Sequence, residues 1–83
     1  SPVAVLRAAL ETAEQALPAY SHQCSPKKFT QHQLFACLVL KNFLKTDYRG
    51  VTAHLQDCSS LQEALGLKQV PHYTTLQKAA KRL

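Results

Sequence analysis

Three times along this chain a serine or threonine is followed, three residues on, by a glutamine or glutamate: Thr30-Gln31-His32-Gln33, Ser60-Leu61-Gln62-Glu63 and Thr74-Thr75-Leu76-Gln77. In such a capping box the hydroxyl accepts from a backbone N–H of the first turn, and the longer side chain accepts from the hydroxyl residue's own N–H. Two donors that every helix start leaves unpaired are thereby satisfied. Each tetrad also leads into apolar residues at helical spacing. Three helix starts in 83 residues leave little room for a sheet, and no segment alternates with period two for long enough to form a strand. The chain is expected to be all-α.

Val3, Leu6, Leu10, Ala13 and Leu17 repeat at helical spacing behind Pro2, whose missing N–H has no partner to lose in a first turn. A first helix is predicted to about Ala16. Pro18 breaks it, and residues 19–29 have neither helical nor strand period, so they read as a long connector. Thr30 then opens a second helix whose residues 34–40 are apolar nearly all round, the pattern of a central helix buried on most sides, with Cys37 as a small core residue. A third helix begins near Asp47, an acid that suits the positive end of the helix dipole, places Tyr48, Val51 and Leu55 on one face, and ends near Asp57. Ser60 starts a short fourth helix through Leu65, with Leu61, Ala64 and Leu65 inward and Gly66 closing it in a left-handed conformation. After Val70-Pro71 a last helix starts at Thr74, with Leu76, Ala79, Ala80 and Leu83 as its core stripe. The expected architecture is one domain over residues 1–83, a small bundle of about five helices with a helix-turn-helix-like C-terminal half.

With 46% of residues apolar and 18% charged, the chain has the composition of a packed domain rather than a disordered segment. Three cysteines, Cys24, Cys37 and Cys58, are an odd number without paired spacing, which suits free thiols in a reducing cytosol. The longest apolar run stops at Lys41, far short of the roughly 20 residues that span a bilayer. The segment Ser1-Pro2-Val3 lacks the basic head of a signal peptide. No membrane partner is expected, and the location implied is cytoplasmic.

Ten lysines and arginines against five acids give a net charge of +5, unevenly spread. Residues 1–26 carry Arg7, Glu11 and Glu14, whereas residues 27–83 carry nine basic and three acidic side chains. From Gly66 onward there is no acid, while Lys68, Lys78, Lys81 and Arg82 all fall there. The positive field is concentrated where phosphates could dock. The last helix would present Gln77, Lys78, Lys81 and Arg82 opposite its core stripe, with His72, Tyr73, Thr74 and Thr75 at its start. Helices so arranged place their first residues against base edges in the major groove while lysine and arginine neutralise phosphates.

Other chemistries fit poorly. His22-Gln23-Cys24 is the closest local pair of metal-ligand type, and His54 and Cys58 stand four apart, but neither is matched by the second pair a structural zinc site needs. The five acids, at positions 11, 14, 47, 57 and 63, fall on mostly separate helices and form no paired carboxylate site for two metal ions. With Gly50 and Gly66 the only glycines, there is no phosphate-cradling loop. Cys24 beside His22 has no oxyanion donor to accompany it.

The run Tyr20-Ser21-His22, then Ser25-Pro26-Lys27-Lys28-Phe29-Thr30-Gln31, residues 34–44, Asp47-Tyr48-Arg49-Gly50-Val51, Leu65-Gly66-Leu67 and Val70-Pro71-His72-Tyr73-Thr74-Thr75-Leu76 resembles the region that precedes the catalytic domain in bacterial insertion-sequence transposases of the DDE type. The most specific piece is Pro71-His72-Tyr73-Thr74-Thr75-Leu76 leading to Lys81-Arg82-Leu83. The resemblance implies a helical domain that binds double-stranded DNA at transposon ends, associated with the bacterial nucleoid. It also implies a separate RNase H-like domain whose carboxylates hold divalent metal such as Mg2+ and perform the strand chemistry. No acid here matches a catalytic carboxylate, so these residues are expected to need no cofactor and to have no enzyme activity of their own.

On this reading His72, Tyr73, Thr75, Gln77 and Lys78 lie near bases and Lys68, Lys81 and Arg82 near phosphates, with Arg49 and Lys45 adding backbone contacts. The expected partners are DNA, the chain's own catalytic domain and a second copy in a homodimer, with the first helix left to either dimerisation or docking on parts outside these residues. Two alternatives remain open: a protein interaction or dimerisation module of the transposase, and a free-standing helix-turn-helix transcription regulator.

Overall fold

Where each helix begins is set by whichever neighbouring group can take up its first unpaired N–H groups. A computed structural model of the chain describes residues 2–16 and 29–82, and of Arg82 only the backbone. Leu17, Pro18, the predicted connector up to residue 28 with its His22 and Cys24, and Leu83 lie outside the described residues. The helices are α1 (Pro2–Ala16), α2 (Gln31–Phe43), α3 (Tyr48–Asp57), α4 (Ser59–Leu65) and α5 (Tyr73–Arg82). No strand occurs among the described residues, so the all-α expectation holds, with five helices. None of the described helices is long and apolar enough to cross a membrane.

The three capping tetrads fare differently. At Thr30 the box forms: the Gln33 N–H donates to the Thr30 hydroxyl and the Thr30 N–H to Gln33 Oε1, each at 3.0 Å. At Ser60 it does not, because the cap of α4 lies two residues earlier, at Cys58, which serves both as the end of α3 and as the start of α4. Gln62 instead turns back and donates from Nε2 to the Leu55 carbonyl at 2.7 Å, pairing an acceptor that the end of α3 leaves over. At Thr74 the box is also absent, because α5 begins at Tyr73 and His72 occupies the capping place. His72 Nδ1 accepts the Thr74 N–H at 3.2 Å, and the His72 carbonyl accepts the Thr75 N–H at 3.0 Å.

Helix ends follow the same accounting. Gly66 sits at φ 69, and the bonds Leu67 N–H to Gln62 O (3.0 Å) and Gly66 N–H to Glu63 O (3.1 Å) close α4 in a Schellman motif. The end of α2 uses the same pair of bonds, from Thr46 N–H to Lys41 O and Lys45 N–H to Asn42 O, each 3.2 Å. There the left-handed position is filled by Lys45 at φ 56, a strained choice for a residue with a Cβ.

The core joins Leu6 and Ala9 of α1, Leu34, Ala36, Cys37 and Leu40 of α2, Val51 and Leu55 of α3, Leu61 and Leu65 of α4, and Leu76 and Ala79 of α5. α1 packs on α2 and α4, while α5 packs on α2 and α3. Two expectations are corrected. α2 is less buried than its apolar run suggests: Phe35, Leu38 and Val39 are only partly buried, and among the described residues no helix closes over the flank they occupy. Ala80 is exposed rather than part of the α5 core stripe, since the stripe narrows to Leu76 and Ala79 where the helix leaves α3. Burial pushes the Cys37 thiol up to about 12, because a thiolate in the core would lose its hydration.

Candidate nucleic-acid interface

The face of α5 opposite Leu76 and Ala79 carries Thr74, Gln77, Lys78 and Lys81, and the last three are fully exposed. Leu76 and Ala79 hold the helix down on α2 and α3, so this face is turned away from the core by the same periodicity that builds it. Thr74 and Thr75 are both half-buried, Thr75 on the flank of the helix and Thr74 with its hydroxyl 2.8 Å from His72 Nδ1.

At the start of α5, three of the candidate residues come together. Arg49, from the first turn of α3, donates from Nη2 to the Tyr73 hydroxyl at 3.2 Å, and its guanidinium carbon lies 4.6 Å from the centre of the Tyr73 ring. The rings of His72 and Tyr73 are 4.4 Å apart, tilted by 34°. A stack of imidazole, phenol and guanidinium therefore bridges α3 and α5. His72 Nδ1 is engaged by Thr74, whose N–H lies 3.2 Å and whose hydroxyl lies 2.8 Å away, so the ring atom left to face outward is Nε2.

Lys68 is exposed on the α4–α5 turn and Lys45 on the α2–α3 turn, and among the described residues neither joins this stack. Arg82 lies in the last turn of α5, with only its backbone described. Two residues absent from the sequence-based site join its edge. Tyr48, read from spacing as a core residue of α3, is only half-buried and lines a depression with Gln77, Ala80 and Lys81. The Lys41 ammonium stands 5.0 Å from the centre of its ring. The available signal was the residue type: a stripe that ends in tyrosine at a helix start often keeps its hydroxyl end wet.

Among the described residues no three His, Cys, Asp or Glu side chains come together as a metal site. No protein-family model matches the chain, and no curated protein or solved structure is significantly similar to it.

Proposed function

We propose that this domain binds double-stranded DNA through α5, and that it serves as the end-recognition part of a DDE-type transposase in a bacterial cytoplasm. The observation that carries the reading is the outward face of α5: Gln77, Lys78 and Lys81 stand exposed together, and no acid follows Gly66 in sequence to neutralise them. A helix of about 10–12 Å diameter enters a major groove about 12 Å wide, and such helices read bases with their first turns. Thr74 and Gln77 occupy those turns; Lys78 follows, and Lys81 lies near the end, at the distance of the phosphates. Gln77 carries the amide that pairs with the two polar atoms of an adenine edge. The Arg49–Tyr73 contact holds a guanidinium beside the helix start, where the flanking backbone would pass. No catalytic step is assigned to this chain; in the proposed assembly the metal-dependent strand chemistry belongs to a separate domain.

The experiment is fluorescence anisotropy on a cognate terminal repeat and on random duplex across a salt series, beside a melting curve for each variant. Lys81→Ala should weaken both duplexes alike and flatten the salt slope by about one. Gln77→Ala should cost about 1–3 kcal/mol on the cognate duplex and little on random DNA. If both variants bind both duplexes like the parent, α5 is not the reading helix and the interaction-module alternative replaces this one.

A further inference from the structure

The exposed side of α5 does not end at the helix. The depression lined by Tyr48, Gln77, Ala80 and Lys81 shares Tyr48 and Ala80 with a second hollow of about 270 Å³, walled by Phe35, Leu38 and Val39 of α2 and by Lys41. The two form a continuous groove across α2, α3 and α5, with an apolar wall, the rings of Phe35 and Tyr48, and one lysine in each part, Lys41 and Lys81. Among the described residues no carboxylate lines either part.

These features select among occupants. A helix of a partner protein needs apolar anchors spread over i, i+3, i+4 and i+7, whereas the apolar wall here is confined to Phe35, Leu38 and Val39 beside the Tyr48 ring. The hollow suits a single flat ring system. Two lysines without an acid favour an occupant that is anionic beside its apolar part. A nucleotide turned out of the base stack has both: flat apolar faces with a polar edge, and phosphates on either side.

We propose that this groove seats an unpaired base of a DNA strand against Tyr48, with Lys41 and Lys81 on the adjoining phosphates. The proposal rests on the reading of α5 as the duplex-binding helix, because Gln77 and Lys81 belong both to that helix face and to the lining of the groove. Lys41 covers the Tyr48 ring in the free protein. A cation–ring contact at a half-exposed site is weaker than a base stacked on the ring, so the flexible lysine yields the ring and takes the phosphate.

The test compares a blunt duplex with the same duplex bearing a single-stranded thymine tail, by anisotropy with the 83-residue chain. The tail should tighten binding roughly five- to a hundredfold, the range expected for one stacked base. Tyr48→Phe should keep that gain and Tyr48→Leu should lose it, each with its melting curve measured. Lys41→Ala should reduce the salt slope by about one for the tailed duplex and leave the blunt one unchanged, so the proposal stays testable even if Tyr48→Leu fails to fold. Equal affinity for blunt and tailed duplexes overturns the proposal while leaving the α5 reading intact. Failure to bind either duplex overturns both. A concentration-dependent dimer in sedimentation that Leu38→Ser dissolves, with no gain from the tail, would give the groove to a second copy instead.

Discussion

Gln33 makes one side chain serve two helices, and replacing it measures how firmly α4 is tied to α2. Its Oε1 accepts the Thr30 N–H at 3.0 Å, and its Nε2 donates to the Leu65 carbonyl at 2.9 Å, across 32 residues of sequence. Gln33→Ala removes both bonds: about 0.5–1.5 kcal/mol for each net hydrogen bond, or a total of about 1–3 kcal/mol. Gln33→Glu separates them. The carboxylate keeps the acceptor for Thr30 and gains about 0.3–1 kcal/mol from the positive end of α2, but it has no donor for Leu65 and sets an oxygen against that carbonyl. The loss of a part-buried pair outweighs the gain, so Gln33→Glu should cost about 1–2 kcal/mol at neutral pH, a drop of roughly 4–15 °C in melting temperature for a domain of this size. Urea titrations followed by circular dichroism give the difference directly. Its pH dependence gives the sign: as pH falls through about 4 the side chain protonates and can donate again, so the deficit relative to the parent should shrink. A Gln33→Glu protein as stable as the parent at neutral pH would refute the argument, because the bond to Leu65 would then contribute nothing.

Leu40→Ala, at a fully buried position, should cost about 2–5 kcal/mol in denaturant titrations, and Leu38→Ala clearly less, because the flank of Leu38 is already open to the groove. Lys45→Gly should raise stability by about 1 kcal/mol in the same assay by relieving the left-handed φ of 56, while removing one candidate phosphate contact. In the folded protein a thiol reagent should modify half-buried Cys58 much faster than Cys37. The raised Cys37 pKa means that stability is fully held below about pH 9 and falls as pH rises from there to about 12, since only the unfolded thiol ionises in that window; a Cys37→Ala variant should lack this component.

The helices themselves were legible because apolar periodicity is a property of the chain, and Leu6, Ala13, Leu34, Val51, Leu55, Leu61, Leu65 and Leu76 all face the core on the stripes that spacing predicts. The helix starts were only partly legible. A capping tetrad is a local code, and where two hydroxyl residues adjoin, as at Ser59-Ser60 and Thr74-Thr75, it leaves the register open. Packing then decides. Cys58 took the cap position of α4 and His72 was at hand for the Thr74 N–H, so both tetrads were bypassed. The openness of the α2 flank was invisible for a related reason. An all-apolar helix looks central from its own sequence, and only the positions of the other helices show which of its sides remain uncovered. The cluster of Arg49, Tyr73 and His72 joins residues 24 apart, a distance at which no local pattern operates.

That cluster shows how the orientation of the proposed reading face is fixed by ordinary folding terms. Asp47 caps α3 by accepting the Gly50 N–H at 2.7 Å. The cap requires a close approach: a Cβ on residue 50 would collide with the Thr46 side chain and stand 3.1 Å from the Asp47 carboxylate, so only glycine lets the turn after Lys45 fold directly into the helix. Arg49 is the residue just before Gly50, and its direction is therefore set by the same turn. From there its guanidinium reaches the Tyr73 ring and hydroxyl, and Tyr73 is the first residue of α5. A glycine, a capping aspartate and one cation–ring contact thus connect the α2–α3 turn to the start of α5. Leu76 and Ala79 seat the helix on α2 and α3, and this exposed chain of contacts adds a tie at its first turn. The proposed DNA face depends on angle more than on strength, because a helix tilted in the groove keeps its phosphate contacts while its base contacts lose their register.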